Sequence, residues 1–294
     1  MAKVTSDSFD ARHQAHLRKK RFKLISQYVS LVVVTAVFFA PIYYMIIGSF
    51  KPNNQVLDGL GGFIPHDLNF NNYVNVFTRF DSESTGFFWQ FYVTSIIVSA
   101  VIVAGGLIVN SMAAFALARL RWRGQKVVML FVVLLVILPF EAIAVPLFSL
   151  LGDFRNTLEV QYVPFIASAF SIFLFYTFFI GLPAEIQEAA RIDGAGPFRT
   201  FFQVIVPMSK PVFASVTILS FLSAWNSFLF PLMMVDQANV RPLPLAMTVF
   251  YQEQQKAWGN IFAFGVLLIM PVMIVFLAFQ KFFVQSVASS AVKG

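Results

Sequence analysis

Few side chains in this sequence have the type and spacing that catalysis requires. Among its 294 residues there is no cysteine, and the three histidines are His13, His16 and His66. Without cysteine, disulfides and thiolate metal sites are excluded. The pair His13 and His16 lacks further ligands, and no GxxxxGK[ST] phosphate loop occurs. The sequence therefore predicts no catalytic residue, no metal site and no ATPase site in this chain.

The composition indicates a membrane protein. Hydrophobic residues make up 58% of the chain, and Asp, Glu, Lys and Arg only 12%, against about 25% in soluble domains. So few charges could not cover the surface of a soluble protein of this size. Disorder is also excluded, because disordered chains are rich in charge and poor in aromatic residues, whereas 17% of this chain is aromatic.

Six apolar segments are long enough, or nearly so, to cross a bilayer as helices, which takes about 20 residues. They are Leu24–Phe50, Ser84–Ala118, Val127–Phe140, Val160–Ala184, Pro211–Val235 and Ala257–Gln280. The third is interrupted at Glu141 and continues as apolar sequence to Leu151. None shows the alternating polarity of barrel strands. The predicted fold is an all-α membrane protein with six transmembrane helices over residues 24–284, flanked by tails 1–23 and 285–294.

The distribution of basic residues indicates the orientation. Sixteen of the 21 Lys and Arg residues lie in the terminal segments 1–23 and 281–294 and in the connections 119–126 and 185–210. The positive-inside rule then places both termini in the cytoplasm. It also accounts for the net charge of +7 without any nucleic-acid partner. His66 falls on the opposite side from His13 and His16, so the three cannot share a metal.

The connection at residues 182–210, called the elbow below, has the pattern of two helices joined at a glycine. Pro183 suits the first position of a helix and Gly194 its end, while Pro197 could begin a second helix and Pro207 end it. Four apolar residues of the second helix share one face: Phe198, Phe201, Phe202 and Ile205. This stripe predicts a docking surface, but periodicity leaves open whether it contacts a partner or the protein's own helix ends.

The elbow also contains a family motif. Glu188-Ala189-Ala190, followed by Gly194 and by Val204-x-Val206-Pro207, resembles the EAA loop of ABC importer membrane subunits. The two valines stand where the family has Ile and Leu, and Asp193-Gly194-Ala195 matches a common extension of the motif. The resemblance extends over residues 85–294.

Other stretches resemble the carbohydrate-importing branch of that family, in particular the shorter six-span subunit of the maltose-type importers. Trp225-Asn226, then Phe228 and Pro231-Leu232, are similar to a characteristic stretch of that branch. Similar matches occur at Pro139, Pro146-Leu147-Phe148, Asn156-Thr157 and the C-terminal Ala291-Val292-Lys293-Gly294.

The resemblance implies that the elbow transmits ATP-driven movement from a separate ATPase, and that the chain is not itself an enzyme. The residues implied in this coupling are Glu188, Ala189, Ala190, Asp193, Gly194, Phe198, Phe201, Phe202, Pro207 and Lys293. The implied partners are a second homologous membrane subunit, a cytoplasmic ABC ATPase dimer that binds ATP and Mg, a periplasmic or lipid-anchored substrate-binding protein, and membrane lipid. The implied location is the bacterial plasma (inner) membrane.

Polar and aromatic side chains at membrane depth are candidates for a sugar path. They are Asn226, Trp225, Ser223, Ser227, Asn110, Ser111 and Glu141. The serines and Asn110 could instead bond neighbouring helices, Trp225 could be an interface anchor or core residue, and Glu141 could be solvated. In loop 236–256, the family resemblance implies contact with the binding protein through Arg241, Pro242, Leu243 and Tyr251, although the loop could be a plain connector.

Because no span contains Arg or Lys, the sequence favours a neutral sugar or glycosyl-polyol as substrate. Import of another polar solute, such as a glycerol phosphate, remains the alternative. A secondary transporter is disfavoured, since it would need ion ligands or proton-relay carboxylates inside the spans, and only Glu141 comes close.

Overall fold

In the computed structural model, which describes residues 2–83, 85–251 and 256–291, most of the chain is helical. The helices are α1 Ala2–Ser49, α2 Asn71–Arg79, α3 Phe88–Arg119, α4 Gln125–Ile137, α5 Phe140–Leu150, α6 Glu159–Ile166, α7 Ala169–Ile180, α8 Ala184–Ile192, α9 Pro197–Thr200, α10 Val206–Met208, α11 Lys210–Trp225, α12 Leu229–Met234, α13 Leu243–Ala246, α14 Thr248–Tyr251 and α15 Trp258–Ala291. A π-helical turn at Phe201–Ile205 joins α9 to α10.

Short elements complete the connections. Four 3-10 turns lie at Asn53–Gln55, Gly59–Phe63, Gly152–Phe154 and Ala238–Val240. Two strands, β1 Asp81–Ser82 and β2 Gly86–Phe87, form an antiparallel hairpin in which Asp81 pairs with Phe87 and Ser82 with Gly86.

The predicted all-α membrane fold is confirmed. Within the described residues, five helical segments are long and apolar enough to cross a membrane: Lys19–Ser49, Phe88–Arg119, Glu159–Ile180, Lys210–Met234 and Trp258–Lys281. They correspond to five of the six predicted spans. The remaining one is the bent pair α4 and α5, whose axes differ by 104° and which counts as a sixth span only when the two are taken together.

The bend between α4 and α5 has a local cause. Leu138 has an extended backbone, and Pro139 caps the start of α5. A proline drives the preceding residue out of the helical region and donates no backbone hydrogen bond. The apolar run that the sequence shows from Val127 towards Leu151 therefore becomes two helices, and Glu141 lies in the first turn of the second.

Contacts between residues divide the chain into two compact units, of which the first comprises residues 1–72 and 257–263. In the Lys19–Ser49 part of its long helix α1, only 6% of the apolar window is buried. After α1 the chain closes around Lys51, whose Nζ donates to the carbonyls of Gly61 and Gly62 at 2.9 and 3.0 Å. Such bonds offset the cost of burying an ammonium group.

The second unit comprises residues 73–256 and 264–294, and α3 is its central helix. The helices α6, α7 and α11 pack against α3. Close approach is possible because Gly105 and Gly106 face the end of α6, where an added Cβ would lie 3.2 Å from atoms of Ile166. Small residues at such contacts are typical of helix packing in membranes. One cluster of buried side chains, containing Phe115, Phe175 and others, supports the elbow.

Candidate coupling surface and transport path

The first half of the elbow is a short helix with a well-formed end. Helix α8 ends at Ile192, and Gly194 follows with a φ of +78°. The N–H of Gly194 donates to Arg191 O at 3.0 Å, and that of Ala195 to Ala190 O at 2.9 Å. These two bonds define a Schellman motif, which favours glycine at its left-handed position. The turn that the sequence indicates at Gly194 is thus built from backbone bonds.

The second half of the elbow is helical but irregular. Pro197 is the first residue of α9, and the N–H of Val206 donates to Phe201 O, five residues back, across the π turn. The helical stretch ends at Met208, one residue beyond Pro207. A π turn has more residues than an α turn, so it changes which side chains share a face.

The aromatic stripe on this second half divides between two environments. Phe201 and Ile205 are buried, and the ring of Phe201 lies 5.2 Å from that of Phe115. Phe198 and Phe202 remain 69% and 54% exposed. Part of the stripe therefore contacts the protein's own helices, and part is available for a partner.

An open cavity of about 1000 Å³ lies beside the elbow, between α8 and the connection that follows α3. The residues that line it include Arg119, Arg121, Arg191 and Glu188. Glu188 and Ala189 are exposed on α8, whereas Ala190 is buried. Asp193 is also exposed at the end of the helix, so both acidic residues of the motif face outward.

Three of the predicted path residues are held inside the protein. Asn110 is buried and bonds both Ile166 O and Ser168 N, while Ser111 Oγ donates to Leu107 O. Trp225 is 1% exposed. Its Nε1 donates to Leu268 O at 2.9 Å, and its ring stacks on that of Phe221 at 5.5 Å. The polar groups of these three side chains all bond backbone carbonyl or N–H groups, and their place in a substrate path stays a prediction.

The other predicted path residues are accessible. Ser223, Asn226 and Glu141 are exposed, and Ser227 is half-buried. Asn226 follows the last residue of α11, and its Nδ2 donates to Leu222 O at 2.9 Å. The break between α11 and α12 thus exposes a short polar stretch between two apolar helices.

The residues predicted to contact a binding protein lie in different environments. Pro242 and Leu243 are buried, and the N–H of Leu243 donates to Ser95 Oγ at 2.7 Å. Arg241 is half-buried and donates to Asp236 O at 3.0 Å. Burial lowers the pKa of its guanidinium, which the Asp236 carboxylate opposes. Only Tyr251, 48% exposed, offers a large free surface.

Sequence reasoning missed the residue that holds this loop in place. Asn156 has a φ of +61°, rare outside glycine. Its Oδ1 accepts from the N–H groups of Asp236 and Gln237 at 2.7 and 3.0 Å. The neighbouring Arg155 pairs with the Asp236 carboxylate at 2.5 Å. An Asn in an exposed connection is a recognised signal for a left-handed turn, but the distant partner could not be inferred.

Two further predictions concern Lys293 and metal binding. Lys293 lies outside the described residues, and its role stays a prediction. Among residues 2–83, 85–251 and 256–291, no group of three or more His, Asp or Glu side chains could hold a metal ion.

The bundle of apolar helices and the exposed elbow between two of them define the membrane-spanning subunit of a transporter. The chain belongs to the family described as binding-protein-dependent transport system inner membrane component, which matches residues 106–289. This confirms the resemblance that the EAA motif and the Trp225-Asn226 stretch indicated.

Individual relatives match nearly the whole chain. An arabinooligosaccharides transport system permease protein of Halalkalibacterium halodurans is 29% identical over 95% of this chain and 100% of its own. A diacetylchitobiose uptake system permease protein of Streptomyces coelicolor is 32% identical over 92% and 88%. A crystal structure of a bacterial ABC transporter involved in the import of the acidic polysaccharide alginate matches with a TM-score of 0.75 at 25% identity, over 90% of this chain and 98% of that one.

Proposed function

We propose that this chain is the permease subunit of an ATP-driven, binding-protein-dependent importer of a neutral sugar or glycosyl-polyol. The observation that carries the proposal is the full-length match to relatives named for the transport of oligosaccharides. Fold and site agree, because the predicted path and elbow positions lie on the same scaffold of apolar helices.

The elbow is the proposed contact with the ATPase. It presents Glu188 as a charge on α8, next to three exposed apolar side chains, Ile192, Phe198 and Phe202. Exposed aromatic and aliphatic side chains of this kind act as anchors when a partner buries them. Charge on Glu188 then selects a basic partner and orients it. Lys293, in the C-terminal tail, is proposed to reach the same ATPase.

The proposed orientation places the elbow and both termini in the cytoplasm. It rests on the excess of basic residues in the tails and in the connections 119–126 and 185–210. This orientation also brings Tyr251 and the loop clamped by Asn156 to the outer side, where a substrate-binding protein delivers its ligand. Tyr251 with Arg241 is the proposed contact there, since Pro242 and Leu243 are buried.

The proposed path for substrate passes the break between α11 and α12. Ser223, Asn226 and Ser227 lie there, and amide and hydroxyl groups are suited to sugar hydroxyls. The proposed role of Asn110, Ser111 and Trp225 is to hold the helices around the path in place, through the hydrogen bonds described above. Within the apolar windows that cross the membrane, no Arg or Lys lies away from the ends, which favours a neutral substrate over a phosphorylated one.

The exposed surface of α1 supports a second membrane subunit and lipid as further partners. A span with only 6% of its apolar window buried must be covered by lipid or by another helix bundle. The proposed assembly therefore comprises this chain, a homologous membrane subunit, an ATPase dimer that binds ATP and Mg, and a binding protein on the outer side.

Uptake by the purified complex in liposomes tests the proposal. The cognate binding protein is first screened by calorimetry against neutral oligosaccharides, disaccharides, glucosylglycerol and glycerol 3-phosphate. Uptake of the tightest ligand should require ATP inside the liposome and binding protein outside. Uptake driven by an ion gradient without ATP would show a secondary transporter, and selective binding of glycerol 3-phosphate would overturn the neutral substrate.

A further inference from the structure

The guanidinium of Arg119 joins segments that are far apart in the sequence. Its Nη2 donates to Phe179 O and to Leu182 O, each at 2.5 Å. In return, its backbone carbonyl accepts a bond from Gln187 Nε2 of α8 at 3.4 Å. A single residue at the end of α3 thus contacts the end of α7, the start of the elbow and the middle of α8.

Both carbonyls that Arg119 binds lie where the α-helical bonding of α7 ends, and Phe179 O also accepts the N–H of Leu182 at 3.1 Å. Phe179 is in the last turn of α7, and Leu182 lies between α7 and α8. Carbonyls at the end of a helix have no partner within it, and a cation there also interacts favourably with the helix dipole. Bonds to a charged donor are stronger than those between neutral groups. Arg119 therefore stiffens the joint between α7 and α8.

Side chains of the connection that follows α3 bond carbonyls in the last turn of α3, and this fixes the position of Arg119. The indole Nε1 of Trp122 donates to Ala116 O at 3.2 Å, and Gln125 Nε2 donates to Leu117 O. Two carbonyls in the last turn of α3 are thereby satisfied within the connection 119–125. The contact with Gln187 adds α8 to this capped end.

We propose that Arg119 is a positioning residue that makes α8, α7 and the end of α3 move as one body during transport. The inference rests on the proposed function, in which an ATPase moves the elbow. With Arg119 in place, displacement of α8 displaces α7 and α3. Without Arg119, α8 can move with the ATPase while α7 and α3 keep their positions.

Uptake per ATP hydrolysed is the measurement that separates this role from a structural one. In the liposome-reconstituted complex, Arg119→Ala should keep its ATPase activity, but uptake per ATP should fall about tenfold, as expected when bonds from a charged donor are lost. Arg119→Lys should recover most of the ratio, because a lysine ammonium can bind two carbonyls, as Lys51 does. Arg123→Ala, an exposed arginine on the same connection, is the matched control.

If the Arg119→Ala complex does not assemble, a second variant tests the inference. Gln187→Leu removes only the contact between α8 and Arg119, and it should lower uptake per ATP while Arg119 keeps its two carbonyls. An unchanged ratio in Arg119→Ala, or in Gln187→Leu when the former cannot be made, would overturn the inference. So would a proportional fall of uptake and ATPase activity. Absence of ATP-dependent uptake in the wild-type complex would instead contradict the proposed function.

The absence of cysteine in this chain permits a direct test of the common movement. Spin labels at Glu185→Cys on α8 and Phe170→Cys on α7, both exposed and both outside the proposed ATPase contact, report one distance within a complex whose other subunits lack cysteine. The distance distribution should be the same with and without trapped ATP, and Arg119→Ala should broaden it. A distribution that changes with ATP in the wild-type complex would contradict the inference.

Discussion

The Oδ1 of Asn110 accepts a hydrogen bond from the N–H of Ser168 at 2.9 Å, and its Nδ2 donates to Ile166 O at 3.0 Å. The two backbone groups flank the break between α6 and α7, where Ala167 and Ser168 are extended. In a bilayer, a broken helix persists only where other groups satisfy the freed backbone. The amide of Asn110 does so from the neighbouring helix.

Replacing Asn110 should therefore destabilise the chain. Asn110→Leu leaves a donor and an acceptor unpaired at membrane depth, at a cost of about 1–3 kcal/mol for each group. The melting temperature of the purified complex should fall. Ser223→Ala, an exposed polar position, should leave it unchanged, and a melting temperature equal to that of wild type in Asn110→Leu would contradict the assigned role.

Gly194 should be required for its backbone conformation and not for its size. An added Cβ at Gly194 or Gly196 would meet nothing within 4 Å, but only Gly194 has a positive φ. Gly194→Val should abolish uptake, because a β-branched residue is strained in the left-handed region. Gly196→Val is the control and should retain transport. Equal loss in the two variants would show that crowding of the loop, rather than its conformation, is responsible.

The two environments of the aromatic stripe predict two different defects. Phe201→Ala should lower the stability of the membrane subunit by about 3–5 kcal/mol, as for other buried aromatic side chains. Phe198→Ala should leave stability unchanged and weaken binding of the ATPase about tenfold or more. Thermal unfolding and titration with purified ATPase distinguish the two. If Phe198→Ala binds the ATPase as wild type does, this face of the elbow is not its docking site.

Asn156 should hold the loop that follows α12. Asn156→Gly keeps the left-handed backbone accessible but removes both bonds to residues 236 and 237, so amide hydrogens there should exchange faster with solvent. Asn156→Asp retains an acceptor oxygen and tolerates the same φ, and should exchange more slowly than Asn156→Gly. Stimulation of ATPase activity by loaded binding protein should fall in parallel. Equal exchange rates in Asn156→Gly and wild type would contradict the clamp.

The spans and the turn at Gly194 could be predicted from sequence because their causes are local. A run of about 20 apolar residues makes a membrane helix whatever surrounds it, and glycine followed by Pro197 ends one helix and begins another. The break at Ala167 could not be predicted, because what stabilises it is Asn110, more than 50 residues away. Pro139, in contrast, gives a local cause for the bend that splits the third apolar run.

The sequence motif of the elbow could be recognised, but the tertiary contacts of its residues could not be predicted. Periodicity placed four apolar residues on one face, while the π turn and the neighbouring helices bury Phe201 and expose Phe198. Leu243 lies in a loop whose sequence suggests exposure, yet Ser95 binds its backbone within the core. From the sequence, Arg119 counts only as one of the basic residues that indicate the membrane orientation, because its bonding partners are set by tertiary structure.

We propose that the elbow couples this chain to an ATPase through Glu188. The most direct test compares Glu188→Lys with Glu185→Lys, since both are exposed acidic residues of α8, in liposomes that contain the complete complex. We expect Glu188→Lys to insert and assemble in the membrane but to lose ATP-driven uptake, whereas Glu185→Lys retains it. Wild-type rates of uptake in Glu188→Lys would show that Glu188 does not couple the elbow to an ATPase.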